Sequence, residues 1–181
     1  MNICVFCGSS VGINPVFAET ARELGTLLVA QNHTLVYGGG NVGLMGILAD
    51  AVMENKGEVI GVIPDFLLRR EVGHRGITHL EVVSTMHERK YRMAELSHAF
   101  IAMPGGWGTL DELAEILTWK QLKLVSHPVG LLNTLQFFNP MLEQFRQMSA
   151  MGFLDDRYTE QLVVEEVTSK LLSKLQANDL P

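Results

Sequence analysis

The stretch from Pro104 to Glu112 combines an anion-binding loop with two carboxylates. It reads Pro-Gly-Gly-Trp-Gly-Thr-Leu-Asp-Glu, follows an apolar run over residues 99–103 and leads into a helical pattern over residues 110–123. Glycines let the backbone turn tightly and bring its N–H groups against a ligand. The helix that follows points its unpaired amides and its positive dipole end at the same place. We therefore expect a phosphate site here, with both acids in the first helical turn.

Asp111 and Glu112 admit two interpretations. A helix dipole stabilises a carboxylate of the first turn as the anion by roughly 0.3–1 kcal/mol, which alone would explain both acids. Glu112, however, also shares a helical face with Ile116 and Trp119, so its carboxylate lies on an apolar face beside the anion site. A carboxylate that stays ionised next to a sugar phosphate suits a base or an electrostatic stabiliser better than an acid. Glu112 is therefore the residue that we expect to do the chemistry.

A second glycine-rich loop spans residues 38–46 and contains a G-x-G-x-x-G match at Gly38, Gly40 and Gly43. It follows an apolar strand, opens a helix and is followed about 20 residues later by Asp65, which is the context of a dinucleotide-binding loop. Against NAD binding, that fingerprint normally follows the first strand, and it leaves the loop at residues 105–108 unexplained. The alternative is that these glycines serve tight turns and close packing of the helix on the strand.

Two further segments carry charge that needs a partner. Residues 67–76 hold three arginines, a glutamate and a histidine, which suggests an anionic ligand, a subunit contact or a solvated loop. A helix opens after Thr85, a predicted N-cap, with Glu88 completing a capping box. Arg89 falls on the same face as Met86 and Met93. An unpaired buried charge is costly, so Arg89 must meet either a structural carboxylate or a ligand.

The composition excludes several classes of protein. With 181 residues and a net charge of −6, a single domain without a broad basic face for nucleic acid is expected. No apolar run reaches the ~20 residues of a membrane span, and Met1-Asn2-Ile3 lacks a signal-peptide leader, so we expect a cytoplasmic protein. Cys4 and Cys7 are spaced as C-x-x-C, but strand positions three apart point to opposite faces, which favours buried thiols over a disulfide.

Short apolar runs alternate with longer segments of helical period, which predicts parallel β-α-β units. The fold class is therefore α/β, a Rossmann-like, doubly wound parallel sheet with helices on both faces, formed by one domain over residues 1–181. Ligands of such sheets bind beyond the carboxyl ends of the strands. This rule selects four loops: Cys7–Asn14, Gly38–Gly46, Pro64–Gly76 and Pro104–Thr109. The predicted strands are Ile3–Phe6, Thr34–Tyr37, Glu58–Ile63, Leu80–Val83, Ala99–Met103, Val129–Leu132 and Leu162–Val164, and the predicted helices are 16–31, 43–55, 87–97, 109–124, 135–151 and 167–176.

Four stretches resemble the signature motifs of one enzyme family. Pro104–Glu112 matches P-G-G-x-G-T-x-x-E, Gly38–Gly46 matches G-G-G-x-x-G-L-M-G, Met86–Lys90 matches M-H-x-R-K and Cys7–Ser10 matches C-G-S-S. On these motifs the sequence resembles the LOG (Lonely Guy) family over nearly its whole length. The resemblance implies a cytosolic homodimer that hydrolyses the N-glycosidic bond of nucleoside 5′-monophosphates. Cytokinin riboside monophosphates and AMP would give the free base and ribose 5-phosphate, without a metal or cofactor.

The resemblance also implies roles for individual residues. Arg89 and Glu112 would be the catalytic pair. Trp107 stands where the family often has tyrosine, and Asp111 where it often has glutamate, which bears on base preference rather than on the reaction. The substrate-binding residues that it implies are Ser9, Gly43, Met45, Gly46, Glu71, Lys90, Gly105, Gly106, Trp107, Gly108, Thr109, Leu110, Asp111 and Thr118.

Cleavage of the bond from the base to C1′ develops positive charge on the ribose ring. We expect Glu112 to stabilise that charge and to help activate the attacking water, Arg89 to orient Glu112 and the ribose or base, and the amides of residues 105–109 to anchor the phosphate. Two other functions stay open from the sequence. One is a nucleotide or cofactor carrier without catalysis. The other is an NAD-dependent dehydrogenase, for which 181 residues leave little room for a substrate domain.

Overall fold

The chain folds around a seven-stranded parallel sheet with strand order β4-β3-β2-β1-β5-β6-β7. The computed structural model describes residues 1–69 and 72–178. The strands are β1 (Asn2–Phe6), β2 (Thr34–Tyr37), β3 (Val59–Pro64), β4 (His79–Val83), β5 (Ala99–Ala102), β6 (Val129–Leu132) and β7 (Val163–Glu165). The helices are α1 (Val16–Ala30), α2 (Gly43–Glu54), α3 (Asp65–Leu68), α4 (Met86–Glu95), α5 (Trp107–Gln121), α6 (Asn139–Ala150), α7 (Asp156–Glu160) and α8 (Thr168–Asn178). The predicted α/β fold class is confirmed.

The central strands are buried because helices cover both faces of the sheet. Every residue of β5 and β6 is buried, and so are residues 3–6 of β1. The apolar side chains separate into two core clusters, one on each face. Cys4 belongs to one cluster and Cys7 to the other, and both are free thiols. The prediction that their C-x-x-C spacing does not form a disulfide is confirmed.

The strand order reverses between β1 and β5. The chain runs outward from β1 to β4 and then returns to β5 on the other side of β1. The loops after β1 and β5 therefore lie side by side, and the Gly8 N–H donates to the Pro104 carbonyl at 3.1 Å. Open α/β sheets bind ligands at such a reversal.

Two helix boundaries differ from the prediction in ways that matter below. Helix α5 begins at Trp107 rather than Thr109. The predicted helix over residues 135–151 is wrong at its start, because a 3₁₀ turn at Thr134–Gln136 precedes α6. Leu135 and Gln136 have positive φ angles of 53° and 58°, which no helix of this hand accommodates. Helices α3 and α7 were not predicted, because segments of four and five residues carry no helical period.

Among residues 1–69 and 72–178, no helix combines the length and the apolar character that a bilayer span requires.

Candidate active site

Backbone hydrogen bonds connect the loops that follow β1, β2 and β5, where the strand order reverses. The Leu44 N–H at the start of α2 donates to the Gly8 carbonyl at 3.0 Å, on the opposite side of the first loop from Pro104. The two loops approach so closely that a Cβ on Gly43 would lie 2.2 Å from the carbonyl carbon of Ser9. Gly43 also has φ +61°, a conformation that side chains disfavour. This glycine is therefore required by packing of the protein on itself.

Arg89 is fixed at the carboxyl ends of two strands. Its Nε donates to the Val62 carbonyl at 3.1 Å and its Nη2 to the Gly38 carbonyl at 3.2 Å. Its Nη1 lies 3.2 Å from Oε1 of Glu112, and both residues are over 90% buried, at 7% and 8% exposure. Of the two outcomes expected for Arg89, the pairing with a carboxylate is confirmed, and the residue also lines a cavity.

Local structure at the start of α4 fixes the orientation of the helix face that carries Arg89. The Thr85 hydroxyl accepts from the Glu88 N–H at 3.1 Å, so the predicted N-cap is confirmed. The Glu88 carboxylate reaches back to the Ser84 N–H at 2.7 Å, one residue before the N–H that a capping box uses. Met93, four residues after Arg89, is buried in the core. The cap and this anchor hold the helix face that carries Arg89 against the sheet.

Glu112 lies in the second turn of α5, not in the first. The first turn holds no acid, because α5 begins at Trp107. The expectation that the helix dipole keeps this carboxylate ionised is therefore wrong. Burial raises the pKa of Glu112 to about 7, since desolvation disfavours the anion more than the positive charge of Arg89 favours it. A carboxyl group that titrates near neutrality is a much stronger base than a solvent-exposed one.

Arg89 and Glu112 open onto a cavity of about 330 Å³, which we call the main cleft. Its lining is mixed, because these two residues and Thr109 are polar, whereas Val42, Met45, Ile63, Leu67 and Val72 are apolar. The thiol of Cys7 faces the cleft, and burial raises its pKa, so it stays protonated. The lining residues are Cys7, Ser9, Gly38, Gly40, Val42, Met45, Ile63, Leu67, Val72, Arg89, Gly106, Trp107, Gly108, Thr109 and Glu112.

The phosphate loop predicted at residues 104–109 forms the wall between the main cleft and a second cavity of about 250 Å³. Ser9 and Gly106 line both cavities. A Cβ on Gly106 or Gly108 would meet nothing within 4 Å, so the backbone there is open to a ligand. The first amides of α5 have no carbonyl partner within the helix. An anion bound beside residues 105–109, which we call the anion corner, would accept hydrogen bonds from several N–H groups and would lie at the positive end of the helix dipole.

Trp107, the first residue of α5, stands at the rim of the main cleft with 89% of its surface exposed. Met45 and Val42 also line this cleft. Together Trp107, Met45 and Val42 give the cleft an apolar lining, which we call the apolar wall. Such a wall can stack on a heterocyclic base.

Lys90 and Asp111 do not line the main cleft. Lys90 Nζ lies 3.0 Å from Oδ2 of Asp111 and 3.2 Å from Oε1 of Glu115, and its side chain is 10% exposed. Lys90 and Glu115 face a separate small void, and Glu112 lines both that void and the main cleft. The structure thus brings these charged residues together with Glu112 in one network.

The other predicted site residues lie elsewhere. Leu110 and Thr118 line an apolar groove of about 430 Å³, which we call the helix groove, between α5, α6 and residues 154–162. Gly46 packs against the Asn41 backbone, where a Cβ would meet atoms at 2.9 Å. Glu71 lies outside the described residues.

In the arginine-rich segment, residues 72–76 are held in place by contacts that the sequence did not reveal. The buried His74 ring joins Asp50 at 3.0 Å through Nε2, and the His74 N–H donates to the Gly39 carbonyl at 2.8 Å. Asp65, considered for ribose binding, pairs with Arg69 at 2.6 Å instead. Residues 72–76 therefore pack against the glycine-rich loop, and Val72 lines the main cleft.

Several cleft residues were missed as individual candidates, among them Cys7, Val42, Leu67 and Val72. Each lies in one of the four loops that the rule for open α/β sheets selected, and all four loops contribute to the main cleft. The location was therefore predictable, although the inward-facing residues were not.

The fold places the protein in the Rossmann-like α/β class, and its main cleft joins the exposed start of α5 to a buried arginine–glutamate pair. Its family is shown by two comparisons. A family model described as "possible lysine decarboxylase" matches residues 45–175. A cytokinin riboside 5′-monophosphate phosphoribohydrolase of Arabidopsis thaliana is 44% identical over 174 residues, which are 96% of this chain and 82% of that protein. The chain belongs to this family, and the resemblance inferred from its motifs is confirmed.

A second curated relative has the same description. The cytokinin riboside 5′-monophosphate phosphoribohydrolase of Oryza sativa subsp. japonica is 43% identical over 174 residues, which are 96% of this chain and 72% of that protein.

Solved structures of lower identity share the fold. The molybdenum cofactor binding protein of Rippkaea orientalis gives a TM-score of 0.73 at 21% identity over 97% of this chain and 95% of its own. The molybdenum cofactor carrier protein of Chlamydomonas reinhardtii gives 0.74 at 20% identity over 98% of this chain and 96% of its own. These likenesses concern the architecture of the sheet and helices.

Proposed function

We propose that this protein hydrolyses the N-glycosidic bond of nucleoside 5′-monophosphates, including cytokinin riboside 5′-monophosphates and AMP. The products are the free base and ribose 5-phosphate. The observation that carries the proposal is the pairing of buried Arg89 and Glu112, 3.2 Å apart, one helical turn beyond an open anion corner. Relatives at 43–44% identity named for this reaction support it.

The anion corner suits the 5′-phosphate. Backbone amides of residues 105–109 anchor the monoester there, and Ser9 at the shared edge of the two cavities adds a hydroxyl donor. Holding the phosphate fixes the ribose in front of the Arg89–Glu112 pair. The energy of phosphate binding is thereby used for orientation at C1′, which is remote from it.

The reaction follows from the charges of the pair. The bond between C1′ and the base nitrogen breaks, its electron pair leaves with the base, and the ribose ring develops positive charge. The Glu112 carboxylate stabilises that charge and takes a proton from the water that attacks C1′. The departing base receives a proton in turn, so one water is consumed for each nucleotide cleaved. Arg89 keeps the carboxylate oriented and is itself held by the carbonyls of Gly38 and Val62.

The apolar wall of the main cleft suits the base. Trp107 and Met45 offer a stacking surface and a flexible thioether, so the wall accepts a purine with or without an apolar substituent. AMP and its alkylated derivatives are both substrates in this proposal.

A panel of nucleotides tests the proposal. The protein is incubated with AMP, N6-isopentenyl-AMP, GMP, CMP and adenosine, and the products are separated by chromatography. We expect adenine and ribose 5-phosphate in equal amounts from AMP, and adenosine cleaved on the order of 10⁴-fold less efficiently, because it leaves the anion corner empty. Equal turnover of AMP and adenosine contradicts the proposal. Binding of AMP without release of adenine indicates a carrier instead.

We also propose a cytoplasmic homodimer, formed by a second copy that docks on the helix groove. Helix α6 supports this face, because none of its residues is fully buried although Met141, Phe145 and Met148 line the groove. Thr118, which the family resemblance implies as a substrate contact, opens into the same groove. A second copy there is the arrangement in which Thr118 approaches a nucleotide held by its partner. The free thiols of Cys4 and Cys7 fit a reducing compartment.

A further inference from the structure

Lys90 is held between two carboxylates in the space behind the catalytic pair. It follows Arg89 directly on α4, yet its Nζ contacts Asp111 at 3.0 Å and Glu115 at 3.2 Å on α5. Its side chain is only 10% exposed, and it does not line the main cleft. An amine with three donors and two acid partners within 3.2 Å has most of its bonding capacity used inside the protein.

Four charged side chains lie around Glu112. Helix α4 contributes Arg89 and Lys90, and α5 contributes Asp111 and Glu115 beside Glu112 itself. Cys4 on β1 and Cys7 in the loop after it, on opposite faces of the sheet, both interact electrostatically with Glu112, but burial raises the pKa of both thiols, so they stay neutral. Among the described residues, two cations and two further carboxylates therefore lie around Glu112. Their formal charges sum to zero, so burial decides that Glu112 favours its proton, and the loss of any one of these charges shifts that balance.

We propose that Lys90, Asp111 and Glu115 are positioning residues that set the proton affinity of Glu112 from outside the main cleft. The inference rests on the proposed function, since it assigns these three residues to the control of the base in that reaction. Lys90 favours the carboxylate form of Glu112, whereas Asp111 and Glu115 favour the protonated form. Their balance leaves Glu112 able to exchange a proton near neutral pH, which a general base requires.

The direction of each electrostatic effect follows from its sign. A positive charge near a carboxyl group lowers its pKa, and a negative charge raises it. For Glu112 burial is the largest influence and raises the pKa, while Arg89 and Lys90 lower it and Asp111 and Glu115 raise it. Neutralising Lys90 and neutralising Asp111 break the same ion pair, but the two changes must shift the pKa of Glu112 in opposite directions.

Three variants test this: Lys90→Met, Asp111→Asn and the double variant. The pH dependence of kcat for AMP hydrolysis is measured for each. We expect the ascending limb to move up by about 0.5–1 pH unit in Lys90→Met and down by a similar amount in Asp111→Asn. In the double variant the limb returns close to the wild-type position, because the net charge is restored. Asp111 has 58% side-chain exposure, so its replacement leaves the fold intact.

Glu95→Gln is the matched control. Glu95 lies on the same helix as Lys90 and pairs with Arg92 at 2.6 Å, so its replacement breaks an ion pair with the same change in net charge as Asp111→Asn. It does not belong to the network around Glu112, and we expect its pH profile to match the wild type. The inference would be overturned if the ascending limb moved in the same direction in Lys90→Met and Asp111→Asn, or if it did not move in either variant.

A titration separates this inference from the proposed function. The side-chain carboxyl signal of Glu112 is followed by ¹³C NMR against pH in the wild type and both single variants, with Glu112→Gln to assign it. This readout needs no substrate. Opposite displacements of the titration midpoint support the inference even if AMP is not cleaved, whereas unchanged midpoints overturn it even if AMP is cleaved.

Discussion

Gly38 makes room for Arg89. The two residues are 51 positions apart, and a Cβ on Gly38 would lie 1.6 Å from Nη2 of the guanidinium. The glycine that begins the G-x-G-x-x-G match thus leaves space for the Arg89 side chain, while Gly43 allows the close contact with Ser9. Packing within the protein therefore accounts for Gly38 and Gly43 without a bound dinucleotide. This agrees with the alternative in which the glycines of the motif serve tight turns and close packing.

Gly38→Ala is expected to lower kcat for AMP by about 100-fold or more, because a displacement of ~1 Å in a catalytic group has effects of that size. Circular dichroism should show an intact fold, since Gly38 does not need a positive φ. Gly76→Ala is the control, because its added methyl meets only the His74 ring, at 3.2 Å. Wild-type kcat in Gly38→Ala would show that Arg89 need not occupy its observed position.

The rate of hydrolysis should rise with pH through the pKa of Glu112, which burial raises to about 7. The base must be ionised to accept a proton, so kcat should fall about tenfold per unit below that pKa and level off above it. The substrate phosphate ionises at about pH 6, and its limb is separable from that of Glu112. Constant kcat from pH 5 to pH 8 would exclude Glu112 as the titrating base.

The same residue should make the folded state less stable as pH rises. Its pKa is 4.5 in the reference state and about 7 when folded, so between these values the folded protein keeps a proton that the unfolded chain has released. Relative to Glu112→Gln, the wild type should lose about 3 kcal/mol of unfolding free energy over this window. Urea unfolding of both proteins at pH 4.5 and pH 8 measures the difference. An unchanged difference would mean that Glu112 titrates normally.

Met148→Asp should convert the proposed homodimer to a monomer of 20.1 kDa. Met148 is 37% exposed and lines the helix groove, so a charge there disfavours apolar contact with a second copy. Gln147→Asp places the same charge on α6 outside the groove and should stay dimeric. Light scattering after size exclusion gives both masses. A dimeric Met148→Asp would place the interface on another face.

The strands were predictable because buried parallel strands are continuous apolar runs. All seven predicted strands exist, and no boundary is shifted by more than one residue. The start of α6 was not predictable from periodicity, because side-chain bonds decide it. Asn133 accepts from the Phe138 N–H at 2.8 Å and donates to Asn139 at 2.9 Å, which stabilises a 3₁₀ turn where the pattern indicated a helix.

The location of the cleft was predictable, and the family resemblance named Arg89 and Glu112 as a pair. Helical spacing alone placed each residue on a face that also carries apolar residues, and it left open whether Arg89 meets a carboxylate or a ligand. The proton affinity of Glu112 was not predictable, since it depends on its depth in the fold and on the turn of α5 that carries it. The contacts of Lys90 with α5 join residues 21 and 25 positions apart, which helical spacing within one segment does not reveal.

The central claim is that Glu112 acts as the base in hydrolysis of a nucleoside 5′-monophosphate. The most direct measurement compares wild type and Glu112→Gln on AMP, with released adenine measured by chromatography and AMP binding by calorimetry. Gln keeps the shape of the side chain and can still accept a bond from Arg89. We predict that Glu112→Gln binds AMP within a few fold of wild type and releases adenine about 10²–10⁴-fold more slowly. Adenine release at the wild-type rate by Glu112→Gln, or no release by either protein, would contradict the claim.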